Sequence, residues 1–182
     1  PGALALGADL PVPVIPLEMA AYTRKENWGA AETFYQLVRG LLSRQAPPPG
    51  SERPPRDANT RPSVNLLGPT KLGFRCRDDV VEIERLLNSM GVDVNVVAPL
   101  GASPQDLQAI PKADANVNLC PEVSDLTCSW LARTFGMPTI STIPMGWGAT
   151  RDFIAEVAAT LDLEVNIDAD GESRLPWYSR SI

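Results

Sequence analysis

An α/β fold, with an open parallel sheet covered by helices on both faces, is the fold class that the sequence predicts. From residue 63 onward, short runs of β-branched residues alternate with longer segments of helical periodicity, and glycine or proline separates them. Because parallel strands need crossover connections, which are right-handed, this alternation indicates a Rossmann-like sheet. The 182 residues, 44% of them hydrophobic, suffice for one domain core or one domain plus part of another.

Residues 1–45 are predicted to be the end of a preceding α/β domain. Residues 10–17 alternate proline with aliphatic residues, which suits an edge strand or an extended connector because proline cannot donate to a sheet ladder. A helix follows, with its apolar face at Ala30, Phe34, Leu37, Val38 and Leu41. Six prolines and scattered charge in residues 46–62 predict a flexible loop or linker, because little apolar surface compensates for ordering.

Residues 63–182 are predicted to form the Rossmann-like domain. Its strands are expected at residues 64–67, 92–97, 115–120 and 138–140. Helix caps are predicted at Asp79, at Ser103, at Ser124 or Asp125, and at Thr150. The apolar stripes of the three longer helices are expected at Val80, Ile83, Leu87 and Met90, at Leu126, Trp130 and Leu131, and at Phe153, Ile154, Val157 and Leu161.

The composition excludes several classes of function. A net charge of −6 without clustered basic residues argues against nucleic acid as a partner. Histidine is absent, which removes Ser-His-Asp and Cys-His catalysis and the ordinary zinc sites. The three cysteines, Cys76, Cys120 and Cys128, form no C-x-x-C pair and favour buried apolar positions over a disulfide framework. No apolar run is long enough for a membrane span.

Two glycine-containing segments are candidates for a site. The first, at residues 68–73, lacks the Gly-Lys-Ser/Thr ending that holds phosphates and magnesium, so a tight strand-to-helix turn is the favoured interpretation. In the second, at residues 146–152, Thr150 is expected to cap a helix and Asp152 to lie in its first turn. From the residues alone, Asp152 either takes part in chemistry or complements the helix dipole, and the second interpretation is favoured.

A charged segment with an indole lies earlier, at residues 24–28. The mixture of both charges with Trp28 suits a subunit interface, in which tryptophan and arginine anchor contacts. A solvated loop in which Trp28 packs over its own helix explains the same composition equally well. The two interpretations stay open.

Five segments, taken in order, resemble a known family: residues 22–39, 65–70, 73–75, 93–102 and 148–153. They are similar to the B subunits of light-independent (dark-operative) protochlorophyllide reductases, which are nitrogenase-like enzymes. The resemblance runs from Leu10 to Ile182 and fails near residues 46–62 and 164–172. It implies a partial nitrogenase-like subunit, with further segments expected before residue 1 and after residue 182.

The resemblance implies an activity and a set of partners. Such enzymes reduce one double bond of ring D of protochlorophyllide and are driven by ferredoxin and ATP. They contain two N and two B subunits, and a homodimeric L protein hydrolyses magnesium-bound ATP and delivers electrons. Their 4Fe–4S cluster is held by three cysteines of the N subunit and by an aspartate of the B subunit that precedes the matched part. This segment is therefore expected to supply neither a metal ligand nor a cofactor ligand, and the location implied is the cytoplasm of a phototrophic bacterium or the chloroplast stroma.

The resemblance also assigns a role to Asp152, that of proton donor to the substrate. The helix N-terminus and Arg151 favour the carboxylate, whereas burial against an apolar tetrapyrrole favours the acid, so Asp152 is expected to act only with substrate bound. Two alternatives remain: a structural docking part of a nitrogenase-like complex, and a subunit of a related chlorophyllide reductase. Trp147 and residues 19–21 depart from the family pattern, which affects the expected shape of the pocket near Asp152.

Overall fold

The structure, a computed structural model, describes residues 14–19, 25–57 and 59–165. Its strands are β1 (Ser63–Leu67), β2 (Asp93–Ala98), β3 (Ala115–Asn118) and β4 (Thr139–Ile140). Its α-helices are α1 (Glu26–Leu42), α2 (Cys76–Ser89), α3 (Pro104–Ala109), α4 (Pro121–Phe135) and α5 (Gly146–Leu161). Short 3-10 turns follow α1 and α3.

The four strands form one parallel sheet in the order β2-β1-β3-β4. Val64 of β1 lies opposite Val94 on one side and Ala115 on the other, and a β-bulge shifts the pairing with β2 at Asn65. The chain moves outward from β1 to β2 and then returns to the other side of β1 for β3. The predicted parallel α/β sheet is thereby confirmed.

Helices cover both faces of the sheet, as predicted. One apolar core lies between the sheet and α1, α3 and α4, and it includes Phe34, Val38 and Leu131. The other lies between the sheet and α2 and α5, and it includes Leu87, Phe153 and Ile154. The alternation of strand side chains explains the two layers, because successive residues of β1 face opposite cores. The predicted stripes of α2 and α5 are buried in full.

The first helix belongs to the same packing unit as the sheet. Phe34, Val38 and Leu42 of α1 are buried in a core shared with α4, and Trp130 of α4 packs edge-to-face against Tyr35, with ring centroids 6.4 Å apart. The extended residues before α1 lie along it, since Gln36 exchanges hydrogen bonds with the backbone of Glu18. The domain boundary near residue 45 remains a prediction, and so does the flexibility of residues 46–62.

Several predicted helix starts are wrong by one turn or more. α2 begins at Cys76 after a left-handed Arg75, so Asp79 lies inside the helix and caps nothing. α4 begins at Pro121. Proline suits the first helical position, because the backbone N–H that it lacks would have no partner within the helix there. Ser124 and Asp125 therefore lie inside the helix. The cap at Ser103 is confirmed: its side chain and that of Asp106 form a reciprocal capping box.

Two further sequence-based assignments also need correction. Leu126 was expected in the buried stripe of α4, but it is exposed, and Val123, Thr127 and Cys128 face the core instead. The charged segment around Trp28 is only partly a loop, because α1 starts at Glu26 and includes Trp28, which is half-buried. Residue 24 of that segment, and residues 10–13 of the predicted connector, lie outside the described residues.

Candidate functional site at the carboxyl edge of the sheet

The carboxyl ends of the four strands open into loops that carry unusual side chains. Phe74 and Leu72, after β1, are 91% and 85% exposed, and Met145, after β4, is 76% exposed. Trp147, in the first turn of α5, is 42% exposed. With strands about 4.8 Å apart, the ends of β1 and β4 lie roughly 10 Å from each other across β3. One edge of the sheet therefore presents apolar side chains from two loops.

Between these loops the backbone is closely packed at Gly68. This glycine follows β1 with φ +108°, and a Cβ on it would lie 2.7 Å from the Cys120 nitrogen and from the Ser124 Oγ. Only glycine fits such an approach without displacing backbone. Residues 68–73 therefore form a tight strand-to-helix turn, the favoured interpretation of this segment.

The structure places Asp152 in the second turn of α5, not in the first. The helix starts at Gly146, and the Thr150 hydroxyl donates to the Gly146 carbonyl at 2.8 Å instead of capping the helix. A threonine inside a helix readily donates to the carbonyl one turn back, so this contact is typical of an interior position and not of a cap. Since the helix dipole acts mainly within the first turn, the dipole interpretation of Asp152 is weakened. The Asp152 side chain is exposed, next to the buried Phe153 and Ile154.

Glu156 is a residue of this region that the sequence did not single out. Its carboxylate accepts the N–H groups of Ser141 and Thr142, each at 2.9 Å, directly after β4. Partial burial raises the pKa of Glu156, but hydrogen bonds from Thr142 and the backbone of Ser141 outweigh this, so the pKa lies below its ordinary value. No motif surrounds Glu156 in the sequence, so these contacts could not be predicted from it.

Asparagines inside the sheet form a second polar feature that the sequence reasoning missed. Asn95 donates to the Asn65 Oδ1 at 2.8 Å, and Asn65 donates to the Asn116 Oδ1 at 2.9 Å, so the chain of amides crosses three strands. Further along β3, Ser124 of α4 donates to the Asn118 Oδ1 at 2.7 Å. The sequence does place asparagines within apolar strands, and a buried amide needs a hydrogen-bond partner. This pattern could have indicated that the asparagines bind one another.

Of the three cysteines, Cys76 and Cys120 are only partly buried, so the predicted buried position is confirmed for Cys128 alone. Burial, followed by the charge of Asp125, raises the pKa of Cys128 to about 12. Burial and the neighbouring Glu122, whose carboxylate is 3.4 Å from the thiol, raise the pKa of Cys120. Clusters bind thiolates, and these environments favour the thiol. Among the described residues, no group of three or more cysteines, aspartates or glutamates could hold a metal ion.

The opposite, amino edge of the sheet contains a cavity of about 610 Å³ between the proline-rich segment and the loop before β3. Arg53, Asp114 and Phe135 are among its lining residues, and Arg53 donates to backbone carbonyls there. This cavity is remote from Asp152, so we place the candidate site at the carboxyl edge. Within residues 14–19, 25–57 and 59–165, no helix combines the length and apolar character needed to cross a membrane.

Comparisons with known proteins identify similar sequences. The B subunit of the light-independent protochlorophyllide reductase of Halorhodospira halophila is 61% identical over 183 residues, and the match covers 100% of this chain and 34% of the relative. Proteins of the same name from a Synechococcus species and from Rhodospirillum rubrum are each 58% identical, over 186 and 183 residues, again across 100% of this chain. The chain spans 35% and 34% of their lengths, about a third of each relative.

A family model matches residues 4–179, nearly the whole sequence. Its description is nitrogenase component 1 type oxidoreductase. The parallel sheet with helices on both faces fits that assignment. The chain therefore belongs to the nitrogenase component 1 type oxidoreductase family.

Proposed function

We propose that this chain is part of the B subunit of a light-independent protochlorophyllide reductase, which reduces the ring D double bond of protochlorophyllide to give chlorophyllide. The observation that carries the proposal is the 58–61% identity, over the whole chain, to subunits of that name. The enzyme is then an ATP-dependent oxidoreductase, and its place is the cytoplasm of a phototrophic bacterium or the chloroplast stroma.

The partners belong to the same proposal. The N and B subunits form a heterotetramer, with two copies of each, and a homodimeric L protein hydrolyses magnesium-bound ATP and passes on electrons that originate in ferredoxin. As the family resemblance implies, the electron-carrying 4Fe–4S cluster is assigned to three cysteines of the N subunit and to an aspartate of the B subunit that precedes the matched part. This segment then contributes a proton and the shape of the substrate site.

Asp152 is the residue that we propose as proton donor. Adding hydrogen across one carbon–carbon double bond takes two electrons and two protons, and Asp152 supplies one of these protons. Two features support it: the carboxyl group is exposed, and it lies near the start of a helix that begins at the carboxyl edge of the sheet. Ligands of open α/β sheets bind at that edge. The dipole alternative has lost its main support, since Asp152 lies outside the first helical turn.

The exposed apolar side chains of the same edge support a large apolar ligand. Phe74, Leu72, Met145 and Trp147 would each lose contact with water against a tetrapyrrole, which is favourable by roughly 25 cal/mol per Å² of apolar surface. Such a cover also surrounds a nearby carboxyl with apolar material and favours its protonated form. Trp147 adds an indole where the family pattern has a small side chain, so the pocket wall near Asp152 is expected to be bulkier.

The test is to assay the complete enzyme. A full-length B subunit containing this segment is produced with the N subunit and the L protein, and chlorophyllide formation is followed anaerobically with ATP and a low-potential reductant. Formation of chlorophyllide that depends on substrate, on ATP and on the L protein is the expected result. An enzyme that assembles but reduces chlorophyllide instead of protochlorophyllide would support the related reductase, and one that reduces neither would support a structural role.

A further inference from the structure

Glu156 ties α5 to the end of β4. Its two carboxylate oxygens accept from the consecutive N–H groups of Ser141 and Thr142, both at 2.9 Å. Hydrogen bonds to a charged group are roughly twice as strong as neutral ones, and two of them fix a side chain in direction as well as in distance. The bonds join the third turn of the helix to the first two residues beyond the strand.

The position of Asp152 follows from that of Glu156 on the same helix. Residues four apart share one face of an α-helix, and each residue advances the helix by about 1.5 Å. Asp152 is therefore on the same face as Glu156, roughly 6 Å nearer the helix N-terminus. Since Glu156 is held at the level where β4 ends, Asp152 lies about one helical turn beyond the carboxyl edge of the sheet, above the loop of residues 141–145.

The rest of the packing of α5 is apolar. The buried side chains Phe153, Ile154, Val157 and Leu161 lie on another face of the helix and hold it against the sheet. The two bonds of Glu156 add directional contacts at the level where β4 ends, on the face that carries Asp152.

We propose that Glu156 is a positioning residue for the proton donor: by binding the backbone at residues 141–142, it places the Asp152 carboxyl where it meets the substrate. This inference rests on the proposed function and adds to it a residue that acts through Asp152 without touching the reacting atoms. Displacement of a reacting group by about 1 Å costs on the order of 100-fold in rate.

The experiment uses the complete enzyme and the variant Glu156→Gln. The carboxamide keeps one acceptor oxygen and replaces the other with an amino group, so one of the two N–H groups loses its partner. We expect kcat to fall about 10- to 100-fold, KM for protochlorophyllide to change less than about twofold, and hydrogen exchange at residues 141–142 to rise. A matched control is Asp114→Asn, whose carboxylate likewise accepts a backbone N–H, that of Ser63 at 2.8 Å, but at the amino edge of the sheet; it is expected to leave kcat unchanged.

A double substitution separates positioning from a purely structural role. In an Asp152→Asn background, Glu156→Gln is expected to cost less than about twofold in kcat, because the residue it positions is already gone. An undiminished loss in that background, or a normal kcat in Glu156→Gln despite faster exchange at residues 141–142, overturns the inference while the parent enzyme stays active. A parent enzyme that reduces no protochlorophyllide overturns the proposed function, and this inference with it.

Discussion

The two edges of the sheet differ in their side chains: charged side chains at the amino edge are hydrogen-bonded to the backbone, whereas several apolar side chains at the carboxyl edge are exposed. At the amino edge, Arg53 donates to the carbonyls of Phe135, Pro111 and Ala113, at 3.4 Å and 3.2 Å for the first two. The Asp114 carboxylate accepts the N–H of Ser63 at 2.8 Å, at the start of β1. At the carboxyl edge, by contrast, Phe74 and its apolar neighbours extend into solvent.

This difference separates stability from function within one small fold. Side chains of the amino edge find their partners inside the chain, so they hold the proline-rich segment and the strand starts in place. Apolar side chains at the carboxyl edge find no such cover among the described residues, and exposed apolar clusters of this kind mark contact with a ligand or a partner. The carboxyl edge is also where open α/β sheets bind ligands. Substitutions of the hydrogen-bonded side chains at the amino edge and of the exposed side chains at the carboxyl edge should therefore affect different measurements.

The largest expected effect is that of Asp152→Ala in the complete enzyme. Loss of a positioned proton donor costs on the order of 10²–10⁴ in rate. The side chain is exposed, so the free energy of unfolding should change by no more than about 0.5 kcal/mol. Single-turnover reduction of protochlorophyllide measures the first quantity, and urea unfolding of the subunit measures the second.

A matched control for this variant is Asp162→Ala, since Asp162 terminates the same helix at its other end. It should leave the rate within about twofold of the parent and lower the free energy of unfolding by about 1 kcal/mol, because alanine adopts the left-handed φ of +54° at this position less readily than aspartate. If the Asp152→Ala variant reduced protochlorophyllide at a near-normal rate, Asp152 would not be the proton donor. The carboxyl edge of this segment would then have no assigned chemical role.

The next largest effect concerns stability at the carboxyl edge itself. Gly68→Ala combines an unfavourable φ of +108° with a Cβ 2.7 Å from the Cys120 backbone nitrogen, so we expect it to lower the free energy of unfolding by about 2–4 kcal/mol. Gly91→Ala is the control, because Gly91 has φ +78° and nothing within 4 Å of its Cβ position. It should cost about 1–2 kcal/mol. If thermal unfolding showed equal losses of stability for the two variants, the structure around Gly68 would accommodate the added Cβ without a cost in free energy.

How much the sequence predicted differs between the two edges. The parallel sheet and its buried helix faces followed from periodicity, because Val80, Ile83 and Leu87 repeat at helical spacing whatever their partners are. Asp152 was found through the resemblance, but its place in the helix was wrong, since a threonine followed by an acidic residue suits a cap and a second turn equally well. Local patterns locate helix centres better than helix starts.

The long-range polar contacts could not be predicted. Arg53 bonds Phe135 across 82 positions of sequence, and Glu156 bonds backbone N–H groups 14 and 15 residues away. Backbone groups are present at every residue, so the sequence does not indicate which of them a charged side chain will bind. The asparagine chain through β1, β2 and β3 depends likewise on strand order, which the sequence left open.

At the amino edge, Arg53→Ala should reduce stability and leave catalysis unchanged. Burial lowers the pKa of Arg53, with the charge of Asp114 opposing, and the group still donates to three carbonyls. Removing it leaves those carbonyls short of a partner, at a cost of about 1–3 kcal/mol in urea unfolding. Arg56→Ala is the control, since Arg56 is exposed where it donates to the Thr60 carbonyl, four residues away, and its removal should cost less than about 1 kcal/mol. A loss of kcat in the Arg53 variant at full assembly would contradict the division of roles between the edges.

The smallest expected effect on stability is that of Phe74→Ser, and it tests the carboxyl edge directly. Because Phe74 is 91% exposed, its removal should change the free energy of unfolding by less than about 0.5 kcal/mol. If that edge is covered in the complete enzyme, the same change should raise KM for protochlorophyllide or weaken subunit assembly, since a buried phenylalanine contributes about 1.5–3 kcal/mol. Leu126→Ser, at an apolar position 38% exposed on α4, is the control and should affect neither. A Phe74 variant with normal KM and normal assembly would show that exposure at this edge does not mark a contact surface, and the comparison of the two edges would then hold for stability alone.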